Sequence, residues 1–240
     1  MRKLILAAII LTAATSCKKN GIFCYNGNGN IITEQRQPGS FDEIELSMNA
    51  NVHITQASTY SVSVTASENL MDIIKTDVHG NTLCIETKSN KCIGHHDDID
   101  VFVTMPVIRK VKISGSGNIT CQSAINVNEI ELIISGSGNI SMDSLTAVTC
   151  DMTISGSGDM EINGVGAGTS QKINISGSGS VNTLNHAFDD VDVNISGSGS
   201  ASVWVTNSLK TNISGSGDVV YKGNPIITSS NSGSGSVRPY

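Results

Sequence analysis

Beyond about residue 110, apolar and polar residues alternate with a period of two. Val191, Val193 and Ile195 enclose Asp192 and Asn194, and Met160 and Ile162 enclose Glu161. The same alternation runs through Val148, Cys150, Met152 and Ile154, and through Ala201, Val203 and Val205. A period of two predicts strands with one buried face. These strands flank one tetrad, Ser-Gly-Ser-Gly, whose first serine falls at Ser114, Ser135, Ser155, Ser176, Ser196, Ser214 and Ser232. The steps are 21, 20, 21, 20, 18 and 18 residues. A flexible linker keeps no such period and has no regular apolar flanks, so the tetrad is read as part of a scaffold.

A strand, a tetrad, a second strand and a variable connection every 18–21 residues describe one coil of a β-solenoid. The predicted fold is all-β: a single-stranded right-handed β-helix, its coils stacked about 4.8 Å apart, with seven regular coils reaching about 35 Å. The period is too short for a propeller blade, and the nonapeptide calcium repeat, with an Asp in each turn, is absent. Glycine enters positive φ and allows close backbone approach, so the tight turns between sheets are assigned to the Gly-Ser-Gly pairs. They are Gly115 and Gly117, Gly136 and Gly138, Gly156 and Gly158, Gly177 and Gly179, Gly197 and Gly199, Gly215 and Gly217, and Gly233 and Gly235. The serine hydroxyls are expected to bond free backbone groups at the corner and to form a ladder.

The regular solenoid is placed over residues 111–240 and a less regular β section over 26–110. Within the latter, "NGNGNI" at 26–31 and "SMNANV" at 47–52 lie 21 residues apart and read as degenerate coils. "YSVSVTA", "TLCIETK" and "IDVFVTM" read as strands, and Gly80-Asn81 as a hairpin turn, in a section expected to cap the unpaired solenoid edge.

Composition adds compartment and excludes partners. Arg2 and Lys3 precede a short apolar run, Leu4–Leu11, that is too short for a membrane span and reads as an export signal. Ala14-Thr15-Ser16-Cys17 resembles a bacterial lipobox, which makes 1–16 a signal peptide, Cys17 the lipidated residue and 17–25 a tether. The expected location is the outer membrane, on its periplasmic face or at the cell surface, with the membrane contacted through the lipid alone. Without residues 1–16, 13 Lys+Arg face 21 Asp+Glu, a net charge of −8, which argues against nucleic acid as a partner. Aromatics are only 4% of the chain, so the core must be aliphatic. Cys84 and Cys92, with seven residues between them, could bridge a hairpin in an oxidising compartment, while Cys121 and Cys150 fall on apolar positions and read as buried hydrophobes.

The densest polar cluster is "GHHDDID". A divalent cation would take His95, His96 and Asp98, but consecutive strand residues point to opposite faces, so the stretch reads as a solvated acidic loop and no metal or other cofactor is assigned. The tetrad is no nucleophile elbow, since Gly-x-Ser-x-Gly on a strand-to-helix turn is missing, and no phosphate-cradling Gly-Lys-Ser/Thr is present. Trp204 is the single tryptophan, and Lys172 and Lys210 read as isolated bases.

"FDEIELSMNANVHI", "YSVSVTASENL", "TLCIETK" and "VTMPVIRKVKISGSGNI", with the later tetrads, resemble the head GIN family of exported, autotransporter-like bacterial adhesins. The resemblance implies a right-handed β-helix with glycine corners, an adhesive role and no catalytic residues; Met48 and Ala50 depart from it where tetrad glycines would stand. The reading is a lipid-anchored binding scaffold without catalysis, contacting a glycan, a protein or its own copies. The alternatives are a carbohydrate-active β-helix using Asp97 or Asp98, and a periplasmic assembly or sensing protein.

Overall fold

The structure, a computed structural model, describes residues 24–240; the expected signal peptide over 1–16 and the expected lipidation site Cys17 lie outside the described residues. The alternating segments stack as parallel strands in a β-solenoid of about six turns. Strands ending at a tetrad form one face: Lys110–Ile113 pairs with the end of Asn118–Ile134, and Gly166–Gly177 with the end of Ser180–Gly197. Strands leaving a tetrad form a second face, where Asn118 to Cys121 lie beside Asn139 to Met142. The pairing is in register, so one buried column holds Leu46, Ile113, Ile134, Ile154, Ile175, Ile195 and Ile213. A second holds Val52, Ile119, Ile140, Met160, Val181, Ala201 and Val219. Each such aliphatic side chain contributes about 1.5–3 kcal/mol on burial, which lets a narrow core hold with few aromatics.

The corners are closed by backbone. After the first tetrad, the second serine of each donates its N–H to the first glycine carbonyl of the preceding coil: Ser137 to Gly115 at 3.1 Å, Ser157 to Gly136 at 3.0 Å and Ser198 to Gly177 at 2.9 Å. That approach leaves no room for side chains. A Cβ on Gly158 would sit 2.0 Å from the Gly138 oxygen and 2.9 Å from Ile134 Cγ2. Gly177 and Gly197 also hold φ of 136° and 129°. The hydroxyls do not play the expected part. Ser114 Oγ reaches Glu45 Oε1 at 2.8 Å, but among the described residues no tetrad hydroxyl bonds backbone. A ladder runs instead one position past the tetrad: side chains link Asn51, Asn118 and Asn139, the Asp159 backbone N–H donates to Asn139 Oδ1, and Ser180 Oγ donates to Asp159.

The section before residue 110 caps the stack. Glu43–Leu46 and Asn51–Gln56 form a true coil around Ser47–Asn51, paired with Lys110–Ile113 and with Asn118 to Cys121. Thr82–Thr87 and Asp100–Met105 add the next layer in parallel. Beyond them pairing turns antiparallel, with Ile74–His79 on one side and Ser61–Ser67 then Ile31–Arg36 on the other. A 3-10 segment, Glu68–Ile73, buries Leu70, Met71 and Ile73 there. The stretch 26–31 is therefore not a coil; Ile31 opens an antiparallel cap strand. The expected Cys84–Cys92 bridge is also corrected. Cys92 is bonded to Cys24, with Cα atoms 4.4 Å apart, because Cys24–Tyr25 pairs in parallel with Cys92–Ile93. Cys84 is free on an outward position of its strand beside Glu45. The tether expected over 17–25 thus ends inside the fold. Cys121 and Cys150 are buried, and burial pushes both thiols up to about 12.

A third run of pairs, Ala124 to Val127 beside Ser144 to Ala147 and Gly166 to Gly168 beside His186 to Phe188, links the two faces. His186 is fully buried against the Phe188 ring, 4.7 Å away, with neither ring nitrogen hydrogen-bonded. Burial depresses its pKa below the ordinary 6.5.

Two tests follow from this packing. Gly158→Ala should lower stability by about 1–3 kcal/mol in chemical denaturation, whereas Ser157→Ala should stay within about 0.5 kcal/mol. The folded state keeps His186 neutral while the unfolded chain protonates it near pH 6.5. Its contribution is therefore fully present above that pH and lost as pH falls below it toward the depressed folded value. Equilibrium melts from pH 7.5 to 5 should show a smaller decline for His186→Leu than for the parent.

Candidate functional site

A broad concavity lies where the third run of strands bends into the tetrad-approaching face. It is a groove of about 1520 Å³ crossing successive coils. Register explains its line. Val127 pairs with Ala147 and Glu129 with Thr149, so Asn128 stands beside Val148 at the bend. Thr149 pairs with Ser170, Gly168 with Phe188, and Ser170 with Asp190, which brings Thr169 and Asp189 into the same line. One bend residue per coil thus faces the groove at a repeat of about 4.8 Å.

Pro106 and Val107 form the wall at the cap end. Gln56 fixes that wall to the first coil: its Nε2 donates to the Pro106 carbonyl at 3.0 Å and the Asn126 carbonyl at 3.1 Å, and its Oε1 accepts from Asn126 N–H at 2.7 Å. Val107 and Val148 remain 44% and 49% exposed, an apolar surface within reach of the Asn126, Thr146 and Thr169 side chains. The charge is acidic. Glu43, Glu129, Glu131, Asp151 and Asp189 line the groove against Arg109 and Lys110. Both bases are engaged, Arg109 with Asp42 at 3.2 Å and Lys110 with Glu131 at 2.8 Å. The hydrogen bond to Glu131 raises the Lys110 pKa and keeps that pair ionised.

The residues singled out in the sequence fall elsewhere. His95 and His96 lie in the loop joining the disulfide strand to Asp100–Met105. His95 contributes backbone, its carbonyl accepting from Gly27 N–H at 2.9 Å and its N–H donating to Asn26 Oδ1 at 3.0 Å. Asp97 and Asp98 are exposed. Asp100 turns away to pair with His53 Nε2 at 3.0 Å, and His53 stacks on Phe102. Among the described residues no group of three or more His, Cys, Asp or Glu side chains is arranged to hold a metal. Among the same residues, the histidine side-chain hydrogen bonds go to Asp100 and the Asp97 carbonyl, so no serine or cysteine is paired with a histidine. Trp204 is covered by the Lys222 ammonium 3.8 Å above its ring. The groove itself was missed because its line appears only once coils of unequal length are aligned at their bends.

Keyed corners, aliphatic columns and an edge groove define a β-solenoid repeat protein. Residues 40–225 match the family described as "Putative auto-transporter adhesin, head GIN domain", and the chain belongs to that family. It is similar to a solved structure from Parabacteroides distasonis called a "putative lipid binding protein", at 27% identity and a TM-score of 0.78, covering 91% of this chain and 100% of that one. It shares its fold with a "putative adhesin" from Bacteroides fragilis, at 21% identity and a TM-score of 0.85, over 90% of this chain and 100% of that one. A "putative adhesin" from Parabacteroides merdae gives 23% identity and a TM-score of 0.73, over 90% and 98%. A search of curated proteins returns no match. No helix among the described residues is long and apolar enough to cross a membrane.

Proposed function

We propose that the protein is a lipid-anchored binding scaffold of the bacterial outer membrane whose groove takes an extended, neutral polysaccharide. The supporting observation is the line of bend residues, Asn128, Val148, Thr169 and Asp189, which offers one contact position per coil. A linear glycan advances about as far per sugar as coils advance per strand, so successive sugars meet equivalent positions. Valine surfaces beside amides and hydroxyls suit the apolar and polar sides of a sugar ring, with polar groups fixing orientation. The excess of carboxylates, with both bases already paired, disfavours an acidic polymer and with it a lyase acting on one. The adhesin description of the family fits this reading.

Two experiments test it. On an array of neutral and acidic glycans, the purified protein should bind neutral chains, and Val148→Arg, which fills the groove, should weaken binding at least tenfold. Equal binding by the variant, or preference for acidic glycans, rejects the groove. For the anchor, Cys17→Ser should move the protein from the membrane to the soluble fraction; unchanged membrane retention rejects lipidation at Cys17.

A further inference from the structure

The outward positions of the tetrad-approaching face carry a charge row that no single segment of sequence displays. Strand register places Glu43, Lys110, Glu131, Asp151, Lys172, Asp192 and Lys210 side by side in that order. Lys172 and Lys210, isolated in the sequence, each stand beside aspartate here, and Lys210 Nζ lies 3.0 Å from Asp192. Contacts of opposite charge between neighbouring strands stabilise the stack. They do not explain the whole row, because Glu131 and Asp151 are direct neighbours of like charge.

The order of signs is self-complementary when reversed. If a second copy lies against this face with its rod antiparallel, about a two-fold axis along the Asp151 strand, Glu43 meets Lys210, Lys110 meets Asp192, and Glu131 meets Lys172. The symmetry makes each contact twice, and Asp151 alone meets itself. A shift of one strand sets Glu43 against Asp192 and Lys110 against Lys172, so repulsion selects the register. The neighbouring outward row runs Glu45, Lys112, Ile133, Thr153, Asn174, Asn194 and Asn212, so the same antiparallel pairing sets its long-chained end, the Glu45–Lys112 ion pair, against the short asparagines of the other copy.

We infer that this face is a homodimer interface in which two copies pair antiparallel through the charge row. The face is about 30 Å long by strand spacing and about 15 Å wide by rise per residue. It would bury about 1,000 Å² in total, the lower limit for a specific interface, and the association should be weak and salt-sensitive.

Sedimentation equilibrium of the purified protein tests the inference. A concentration-dependent dimer is expected at low ionic strength, weakening at least tenfold in 0.5 M salt. Lys172→Glu should weaken it at least tenfold, Glu131→Lys likewise, and the double variant should restore it, while Asp151→Asn should tighten it. Melting curves show whether each variant is folded, and Lys172→Gln replaces Lys172→Glu if that variant is not. A monomer at every salt and concentration overturns the inference, as does a single reversal without effect or a double variant without recovery. Glu43, Lys110, Glu131 and Asp151 also line the groove, so pairing and glycan binding compete. Lys172 and Lys210 do not line it, so Lys172→Glu should weaken pairing and leave glycan binding intact, which separates failure of one reading from failure of the other.

Discussion

The structure depends on one constraint: at each corner after the first, the backbone of one coil rests on a glycine carbonyl of the coil before, leaving no room for a Cβ. A Cβ on Gly136 would sit 2.2 Å from the Gly115 oxygen, and one on Gly158 2.0 Å from that of Gly138. The serine N–H between the two glycines donates to the first of these carbonyls, as from Ser137 to Gly115 and from Ser157 to Gly136. With the corner fixed in height and direction, the strands on both sides have no freedom to slip. A one-residue slip would also turn every buried isoleucine outward, so the corner and the hydrophobic alternation select the same register. Identical columns follow, and so do the amide ladder and the charge row. Both are by-products of keyed stacking that become surfaces in their own right.

The regular coils were legible because every element of them is local and repeated. Period, alternation and glycine placement all point to one geometry. The cap was less legible because its pairings are not local. Ile31–Arg36 lies against Ser61–Ser67 and Thr82–Thr87 against Glu43–Leu46, and nothing in a strand's own residues names such a partner. The tetrad-like "NGNGNI" misleads for the same reason: its spacing fits a coil, but an antiparallel neighbour claims Ile31. The disulfide shows the effect most clearly. Cys84 is closer to Cys92 in sequence, yet it faces outward from a strand that never approaches Cys92, while the pairing of Cys24–Tyr25 with Cys92–Ile93 brings the more distant cysteine into reach.

The surface chemistry was legible only in part. The acidic balance and the lack of a local catalytic motif could be read directly. The groove and the charge row could not, because each is assembled across coils from residues some 20 positions apart. Met48 and Ala50, which break the glycine pattern, show how little the early coil needs it: both are buried, and the Ala50 oxygen still accepts from Asn118 N–H at 2.9 Å. The hydroxyls of the tetrad do not hold the corner. They are exposed, and what matters at those positions is a small residue whose backbone is free to approach its neighbour.

Variation in coil length, from 21 residues down to 18, is confined to one side of the rod. The register irregularities fall between Cys121 and Ala124, between Thr183 and Ala187, and between Phe188 and Asp190, all on the way from the second face through the third run of strands. The two faces that meet at the glycine corner therefore behave as a hinge-pin that tolerates no insertion, while the opposite edge is a margin where residues can be gained or lost without disturbing the stack. A lineage of such proteins can reshape this edge by indels alone while the corner stays unchanged.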